Sequence, residues 1–108
     1  MKKKPQQVFD DHLKAIETLN PIAVIDNYAA DALFVTPEGT YKGKKEILKF
    51  YKKILPRLKN FDAKSIRQSM CSNIINLIWF VKNRNVETDI YIIINEKIQY
   101  QRCSGVIK

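Results

Sequence analysis

Apolar positions near the start of the chain recur at steps of three and four residues. Between residues 5 and 19 they form one stripe, while most charged side chains fall on the opposite face. Pro5 suits a first helical turn, where its missing N–H is not needed. The stripe consists of Val8, Phe9, His12, Ala15, Ile16 and Leu19. The pattern predicts an amphipathic helix over residues 5–19, with His12 on its buried side.

Two further helices are predicted in the first half of the chain. Asn20-Pro21 joins a favoured N-cap to a proline at the first helical position, which predicts a helix over about 21–29. A third helix is predicted over about 44–55, and Pro56 should end or kink it because its ring clashes with the preceding turn. The apolar stripe of this third helix is Ile47, Leu48, Phe50 or Tyr51, Ile54 and Leu55.

The segments between and after the helices are typical of strands. Ala32–Thr36, the turn Pro37-Glu38-Gly39 and a short return over residues 40–42 predict a hairpin. The last 48 residues predict an antiparallel meander. Its strands are placed near residues 61–70, 73–82, 86–94 and 98–106.

Two polar turns separate the last predicted strands. Asn83-Arg84-Asn85 is the first, and the two-residue turn Asn95-Glu96 is the second. If the second turn is type I′, Glu96 takes a positive φ at a cost of about 1 kcal/mol.

The predicted strand Asp89–Ile94 is apolar on both of its faces. Tyr91 and Ile93 point one way, and Ile90, Ile92 and Ile94 point the other way. A sheet with one solvated face should alternate apolar and polar residues. We therefore expect helices to cover one face and a second copy of the chain to cover the outer face, which makes a homodimer.

The order of elements is helix, helix, hairpin, helix and four strands. Helices grouped against one face of an antiparallel sheet make an α+β fold. The 108 residues suffice for one domain over residues 1–108, in which we expect residues 1–7 to be frayed.

The charge of the chain is strongly basic but local. The chain has 19 Lys and Arg against 11 Asp and Glu, a formal net charge of +8. Most of the excess lies in residues 42–59, which hold eight basic residues and one acid, and in Lys2, Lys3 and Lys4. We expect this helix face to be solvated; an acidic partner, a membrane surface or RNA are the alternatives. Its aromatics belong to the buried stripe, so we do not expect nucleic-acid binding.

Other classes of site leave little signal in the chain. Cys71 and Cys103 have no CxxC spacing, which favours free thiols and a cytoplasmic location. No apolar run approaches the roughly 20 residues of a membrane helix. One histidine and two separated cysteines predict no metal site, and without a glycine-rich phosphate loop we expect no cofactor.

Two segments resemble a known family. The stretch from Tyr28 to Ile47, YAADALFVTPEGTYKGKKEI, resembles the signature of SnoaL-like proteins in the nuclear transport factor 2-like superfamily. The segment DIYIIINEKI, residues 89–98, resembles the strand-turn-strand of the same family. The resemblance spans roughly residues 8–107. It implies a curved antiparallel sheet wrapped around the N-terminal helices, a cone of cystatin-like topology with an internal cavity.

The resemblance also implies where a functional site would lie. In ketosteroid isomerases of this superfamily, the general base, a helix tyrosine and a protonated aspartate carry the reaction. Their positions correspond to Thr36, His12 and Asp89 here. Thr36 cannot abstract a proton near neutral pH, so steroid isomerisation by that mechanism is not expected.

Candidate site residues follow from these positions. If His12 and Asp89 both point into the cone, the carboxylate orients the imidazole for acid–base catalysis; otherwise His12 is an ordinary core histidine. Residues proposed to line a ligand cavity are Tyr28, Thr36, Trp79, Tyr91, Gln101 and Cys103, and simple core packing is their alternative. The sequence leaves open whether the protein is an enzyme. Its partner is a small hydrophobic or amphipathic molecule; the alternative is a non-catalytic dimeric binding or interaction module whose cone is filled by side chains.

Overall fold

Three helices precede most of the sheet. The computed structural model describes residues 2–58, 66–80 and 86–105. Helices α1 (Pro5–Glu17), α2 (Pro21–Ile25) and α3 (Gly43–Ile54) are present, and a 3₁₀ turn, Leu55–Leu58, follows α3. The strands are β1 (Tyr28–Thr36), β2 (Gly39–Lys42), β3 (Ile66–Cys71), β4 (Ile74–Phe80), β5 (Val86–Ile94) and β6 (Lys97–Cys103). The predicted order of elements is confirmed.

Local signals decide where the helices begin. Asn20 accepts a hydrogen bond from the Ile22 amide at 3.0 Å, as expected of an N-cap. Residues 5–7 form the first turn of α1, so the fraying expected for residues 1–7 stays a prediction. Pro56 lies in the 3₁₀ turn, which confirms that α3 ends before it.

The second helix is shorter than predicted. It ends at Ile25, and the chain is already extended at Tyr28. The Ile98 amide donates to the Asn27 carbonyl at 2.7 Å, and Tyr28 pairs with Ile98 in β6. Pairing with a strand far along the chain therefore replaces the local helical pattern here.

The sheet is curved and mixed rather than wholly antiparallel. Its six strands run in the order β2-β1-β6-β5-β4-β3. The neighbours pair antiparallel except β1 and β6, which are parallel. The prediction of an antiparallel sheet was wrong at this one pairing, because a sequence pattern shows hairpins between neighbours but not the pairing of distant strands.

Both two-residue hairpins of the meander have left-handed residues. Asn95 and Glu96 have φ of 50° and 66°, which confirms the type I′ turn. Ser72, between β3 and β4, has φ of 57°. The predicted turn at Asn83-Arg84-Asn85 and the predicted strand positions within 61–65, 81–82 and 106 lie outside the described residues.

Alternation along the strands separates an inner and an outer face. On β5, Asp89, Tyr91 and Ile93 are buried, as their shared parity predicted. The face of Trp79, which the sequence left open, is the inner one. The outer face carries the exposed apolar residues Ile74, Ile78, Phe80, Val86, Ile90 and Ile94.

The core lies between the inner face of the sheet and the helices. Helix α1 packs on β5 and β6, and α3 packs on β1 and β2. Phe9, Tyr28 and Ile47 are fully buried, and each such side chain contributes roughly 1.5–3 kcal/mol. The stripe predicted for α3 is buried with both Phe50 and Tyr51, while Leu48 is half-buried.

The basic residues of α3 lie on its outward side. Lys45, Lys49, Lys52 and Lys53 are exposed, opposite the buried stripe. This arrangement is what a solvated amphipathic helix requires. The expectation that the face binds no nucleic acid stays a prediction. Lys59, the last residue of the basic segment, lies outside the described residues.

Candidate functional site

Strand register brings four polar side chains together on the inner face. Asp89 on β5 is paired with Leu77 on β4 and with Cys103 on β6. One step along, Tyr91 is paired with Gln101. Trp79 lies diagonally from Asp89 and reaches it with its indole. Residues far apart in sequence thus meet because the three strands are neighbours in the sheet.

A small cavity lies between this face and the helices. Its volume is about 90 Å³. Half-buried residues at its edge, Leu13, Ile16, Leu58, Ile66 and Gly105, form its mouth. The remaining described lining residues are Phe34, Phe50, Tyr51, Ile54, Leu77, Trp79, Asp89, Tyr91, Gln101 and Cys103. The cavity is smaller than the roughly 300 Å³ at which ordinary ligand pockets begin.

Gln101 is the centre of a buried hydrogen-bond network. Its Nε2 donates to Asp89 Oδ2 at 2.8 Å and to the Tyr91 hydroxyl at 2.9 Å. Its Oε1 accepts from the Tyr28 hydroxyl, and the hydroxyls of Tyr28 and Tyr51 are 2.6 Å apart. Both amide protons and the amide oxygen are therefore used, which fixes the side-chain orientation.

Asp89 is a buried carboxyl group with neutral partners. Its side chain is 6% exposed, and Oδ1 accepts from Trp79 Nε1 at 2.8 Å. Burial raises its pKa from 3.8 to about 6, and nearby Glu87 adds to the rise. Hydrogen bonds from Trp79 and Gln101 act in the opposite direction. A carboxyl group with such a pKa can exchange a proton near neutral pH.

His12 is fully buried on α1 behind Tyr91. Its Nε2 lies 3.4 Å from the Tyr91 hydroxyl, and its Nδ1 has no hydrogen-bond partner. Burial lowers its pKa from 6.5 to about 3, so the imidazole is neutral. His12 and Asp89 do not form a direct pair: Gln101 and Tyr91 stand between them. The carboxylate–imidazole contact considered from the sequence is absent, because each side chain is bonded to another partner.

The other predicted site residues divide into two groups. Trp79, Tyr91, Gln101 and Cys103 line the cavity together with Asp89. Tyr28 and Thr36 are buried but are not among the described lining residues.

Tyr28 supports Gln101 from behind the cavity wall, while Thr36 has a structural role. The Thr36 hydroxyl donates to the Gly39 carbonyl at 2.9 Å and accepts from the Glu38 amide. It holds the turn between β1 and β2. A ligand-binding role for Thr36 or Tyr28 would therefore be indirect.

Cys103 lines the cavity without the features of a reactive thiol. Burial, together with the nearby Asp89 carboxylate, raises its pKa from 9.0 to about 12. A thiol that stays protonated is a poor nucleophile. Cys103 therefore contributes an apolar surface to the wall.

Aromatic residues of α3 and β1 were not predicted as part of the site. Phe34, Phe50 and Tyr51 line the cavity together with Trp79 and Tyr91. The stripe pattern of α3 marked Phe50 and Tyr51 as buried, which was the available signal. It could not separate cavity wall from solid core, because both are apolar.

Comparison of this geometry with solved structures identifies the fold. A structure from Cytophaga hutchinsonii, described as an NTF2-like protein of unknown function, superposes with a TM-score of 0.77 over 95% of this chain and 90% of its own, at 14% identity. The chain has the nuclear transport factor 2-like (NTF2-like) fold. No protein-family model and no curated protein sequence matches it.

Two further structures with the NTF2-like fold extend the comparison. A SnoaL-like protein of unknown function from Burkholderia thailandensis has a TM-score of 0.71 and 10% identity, covering 91% of each chain. A protein with a ketosteroid isomerase-like fold from Catenulispora acidiphila was solved in complex with trimethylamine. It has a TM-score of 0.64 and 14% identity, covering 93% of this chain and 85% of its own. These similarities show that the overall fold is shared.

The described part of this NTF2-like fold carries neither a metal-binding cluster nor a membrane-spanning helix. Within residues 2–58, 66–80 and 86–105, no group of three His, Cys, Asp or Glu side chains is arranged to hold a metal ion. Over the same part of the chain, no helix has the length and hydropathy needed to cross a bilayer.

Proposed function

We propose that this protein binds a small apolar or amphipathic molecule in the cavity, with the polar group of the ligand at Asp89 and Gln101. The observation that carries this proposal is the carboxyl group of Asp89 on an otherwise mostly apolar wall. An ionised carboxylate in such surroundings lowers the stability of the fold. A ligand-binding role would account for a residue that is costly to bury at this position.

The size and lining of the cavity support a small ligand. An engineered apolar cavity of about 150 Å³ holds benzene, so about 90 Å³ suits a molecule of a few non-hydrogen atoms. The structural relative from Catenulispora acidiphila was solved with trimethylamine, a molecule of this scale. Its apolar methyl groups and polar nitrogen match an aromatic wall with one carboxyl group.

Acid–base chemistry on the ligand would depend mainly on Asp89. Its raised pKa suits proton transfer near neutral pH, while the lowered pKa of His12 keeps the imidazole neutral. His12 also lies outside the described cavity lining. We therefore propose Asp89 as the acid–base group of any reaction and His12 as a positioning residue behind Tyr91.

A thermal-shift screen against small hydrophobic and amphipathic molecules tests the binding proposal. A ligand that binds the native state raises the melting temperature in proportion to its occupancy. Leu13→Trp, at the mouth, should reduce the shift, and Ile22→Trp, on an exposed position of α2, should leave it unchanged. If no compound shifts the melting temperature, or if Leu13→Trp leaves every shift intact, the cavity is not a binding site.

We also propose a homodimer through the outer face of the sheet. Register places Ile74 beside Ile92, Asn76 beside Ile90, and Phe80 beside Val86. Exposed apolar side chains therefore lie on both β4 and β5, interrupted by Asn76 and Thr88, and an apolar patch of this kind marks an association surface. The patch lies on the face opposite the helices, where a second copy can meet it by two-fold symmetry. A dimer of this kind is also the basis of the alternative function, in which the protein is an interaction module that binds no small molecule.

Light scattering after size exclusion tests the dimer. The wild type should have twice the monomer mass, and Ile90→Lys or Ile78→Lys should reduce it to the monomer mass. Ile22→Lys, also an exposed isoleucine but on α2, is the matched control. A monomeric wild type at high concentration would contradict the proposal.

The state of the cysteines supports a cytoplasmic location. Cys71 and Cys103 are both free thiols, one exposed and one buried. Free thiols persist in a reducing compartment. Cell fractionation with an antibody to the protein tests this proposal, and recovery outside the cytoplasm would contradict it.

A further inference from the structure

The carboxyl group of Asp89 has acceptor capacity that its protein partners do not use. Trp79 donates one hydrogen bond to Oδ1, and Gln101 donates one to Oδ2. An ionised carboxylate accepts about four hydrogen bonds, two at each oxygen. Since Asp89 lines the cavity, the remaining acceptor positions are within reach of a molecule bound there.

The negative charge of Asp89 has no opposite charge among the described lining residues. The described wall contains no lysine, arginine or histidine side chain. Trp79 and Gln101 are neutral donors, so they stabilise the carboxylate without cancelling its charge. A buried charge is stable when it is both hydrogen-bonded and paired. Here the hydrogen bonds are present, and a ligand of positive charge would complete the pair.

The rest of the wall also favours a cation. Aromatic rings attract a cation held over their faces, and this attraction increases when water is excluded. Alkyl groups on the cation would meet the apolar surface. The aromatic residues of the wall are Phe34, Phe50, Tyr51, Trp79 and Tyr91. A carboxylate among aromatic side chains is the arrangement that recognises an alkylated ammonium ion.

From this geometry we infer that the ligand of the cavity is a small monovalent organic cation, a short-chain or methylated ammonium, whose nitrogen pairs with Asp89. The inference rests on the proposed function and narrows its ligand class. The volume of about 90 Å³ excludes large polyamines and limits the ligand to a few non-hydrogen atoms.

A matched pair of probes tests the charge directly. tert-Butylammonium and tert-butanol have the same shape and number of non-hydrogen atoms, and they differ in the charged group. Binding is followed by the fluorescence of Trp79, the single tryptophan of the chain, at constant ionic strength. We expect the wild type to bind the cation at least about tenfold more tightly than the alcohol, as for other buried charge pairs.

Asp89→Asn supplies the second arm of the test. This variant keeps a side chain of the same shape and removes the charge, so the preference for the cation over the alcohol should disappear. Asp31→Asn, at an exposed position on β1, is the control for a general loss of negative charge. Circular dichroism verifies that each variant is folded. If a variant does not fold, the comparison of the two probes on the wild type still tests the inference.

Each outcome separates this inference from the proposed function. Equal binding of both probes, or a cation preference that survives Asp89→Asn, overturns the inference and leaves a ligand-binding cavity. Binding of neither probe also overturns it. The proposed function fails as well only if the thermal-shift screen finds no ligand or if Leu13→Trp leaves every shift intact.

Discussion

The two buried titratable groups Asp89 and His12, which do not contact each other, allow a specific prediction about how stability depends on pH. The free energy of unfolding rises with pH wherever the unfolded chain binds more protons than the native protein. The pKa of Asp89 is raised from 3.8 to about 6, so native Asp89 keeps a proton that the unfolded chain has released in this range. Its contribution to stability therefore falls as the pH rises from 3.8 to about 6.

His12 has the opposite sign in the same range. Its pKa is lowered from 6.5 to about 3, so the unfolded chain carries a proton that native His12 lacks. Its contribution is fully present above pH 6.5 and is lost as the pH falls toward about 3. Between about pH 4 and 6 the two contributions cancel, each with a slope of about 1.4 kcal/mol per pH unit.

Removing either titratable group should reveal how the other one makes the free energy of unfolding depend on pH. Relative to the wild type, Asp89→Asn should gain about 3 kcal/mol in free energy of unfolding between pH 3.8 and 6. His12→Gln should lose about as much over the same range, and the double variant should follow the wild type. The comparison with the wild type removes the pH dependence that all variants share.

Urea unfolding followed by circular dichroism at about pH 4, 5 and 6 measures these differences. Asp31→Asn, which removes an exposed carboxylate on β1, is the matched control for the loss of one negative charge. If the difference between Asp89→Asn and the wild type is the same at every pH, the carboxyl group does not titrate as a buried group and the reasoning is refuted.

Three further predictions concern the turns, the thiols and the network. Ser72→Gly should raise the free energy of unfolding by about 1 kcal/mol, because φ of 57° is strained for serine and not for glycine. Thermal melting measures the change in stability, and an unchanged melting temperature would contradict the prediction. Iodoacetamide should modify exposed Cys71 in the native protein and reach Cys103 only after unfolding. Mass spectrometry of the peptides measures the two reaction rates, and equal rates in the native protein would contradict this prediction. Gln101→Leu should lower the free energy of unfolding by about 3 kcal/mol, because it leaves buried polar partners unpaired. In urea unfolding, the control Gln99→Leu should lower it by about 1 kcal/mol or less, and equal losses in the two variants would contradict the central role of Gln101.

Periodic patterns carried most of the information about the elements. The apolar stripe of α1 and the alternation along β5 are local properties, because side-chain direction repeats every 3.6 residues in a helix and every two in a strand. They placed His12 and Asp89 on buried faces, where the structure has them. The turn at Asn95-Glu96 is local in the same way, and its positive φ values follow from a two-residue connection.

Pairing between distant strands could not be predicted from such patterns. Some 60 residues separate the end of β1 from the start of β6, with which it pairs in parallel. Nothing in the sequence of either strand indicates which strand it pairs with. The same contact ends α2 at Ile25, where the local pattern favoured a longer helix.

By itself, the sequence determined α1, α3, the two faces of β5 and the burial of Asp89 and His12, since each depends on residues close along the chain. Only the tertiary structure decided that Gln101 and Tyr91 separate the two titratable groups and that Trp79 holds the carboxyl group. The cavity of about 90 Å³ was likewise decided at this level. Its volume depends on how side chains from α1, α3 and five strands fill a shared space, and no single segment contains that information.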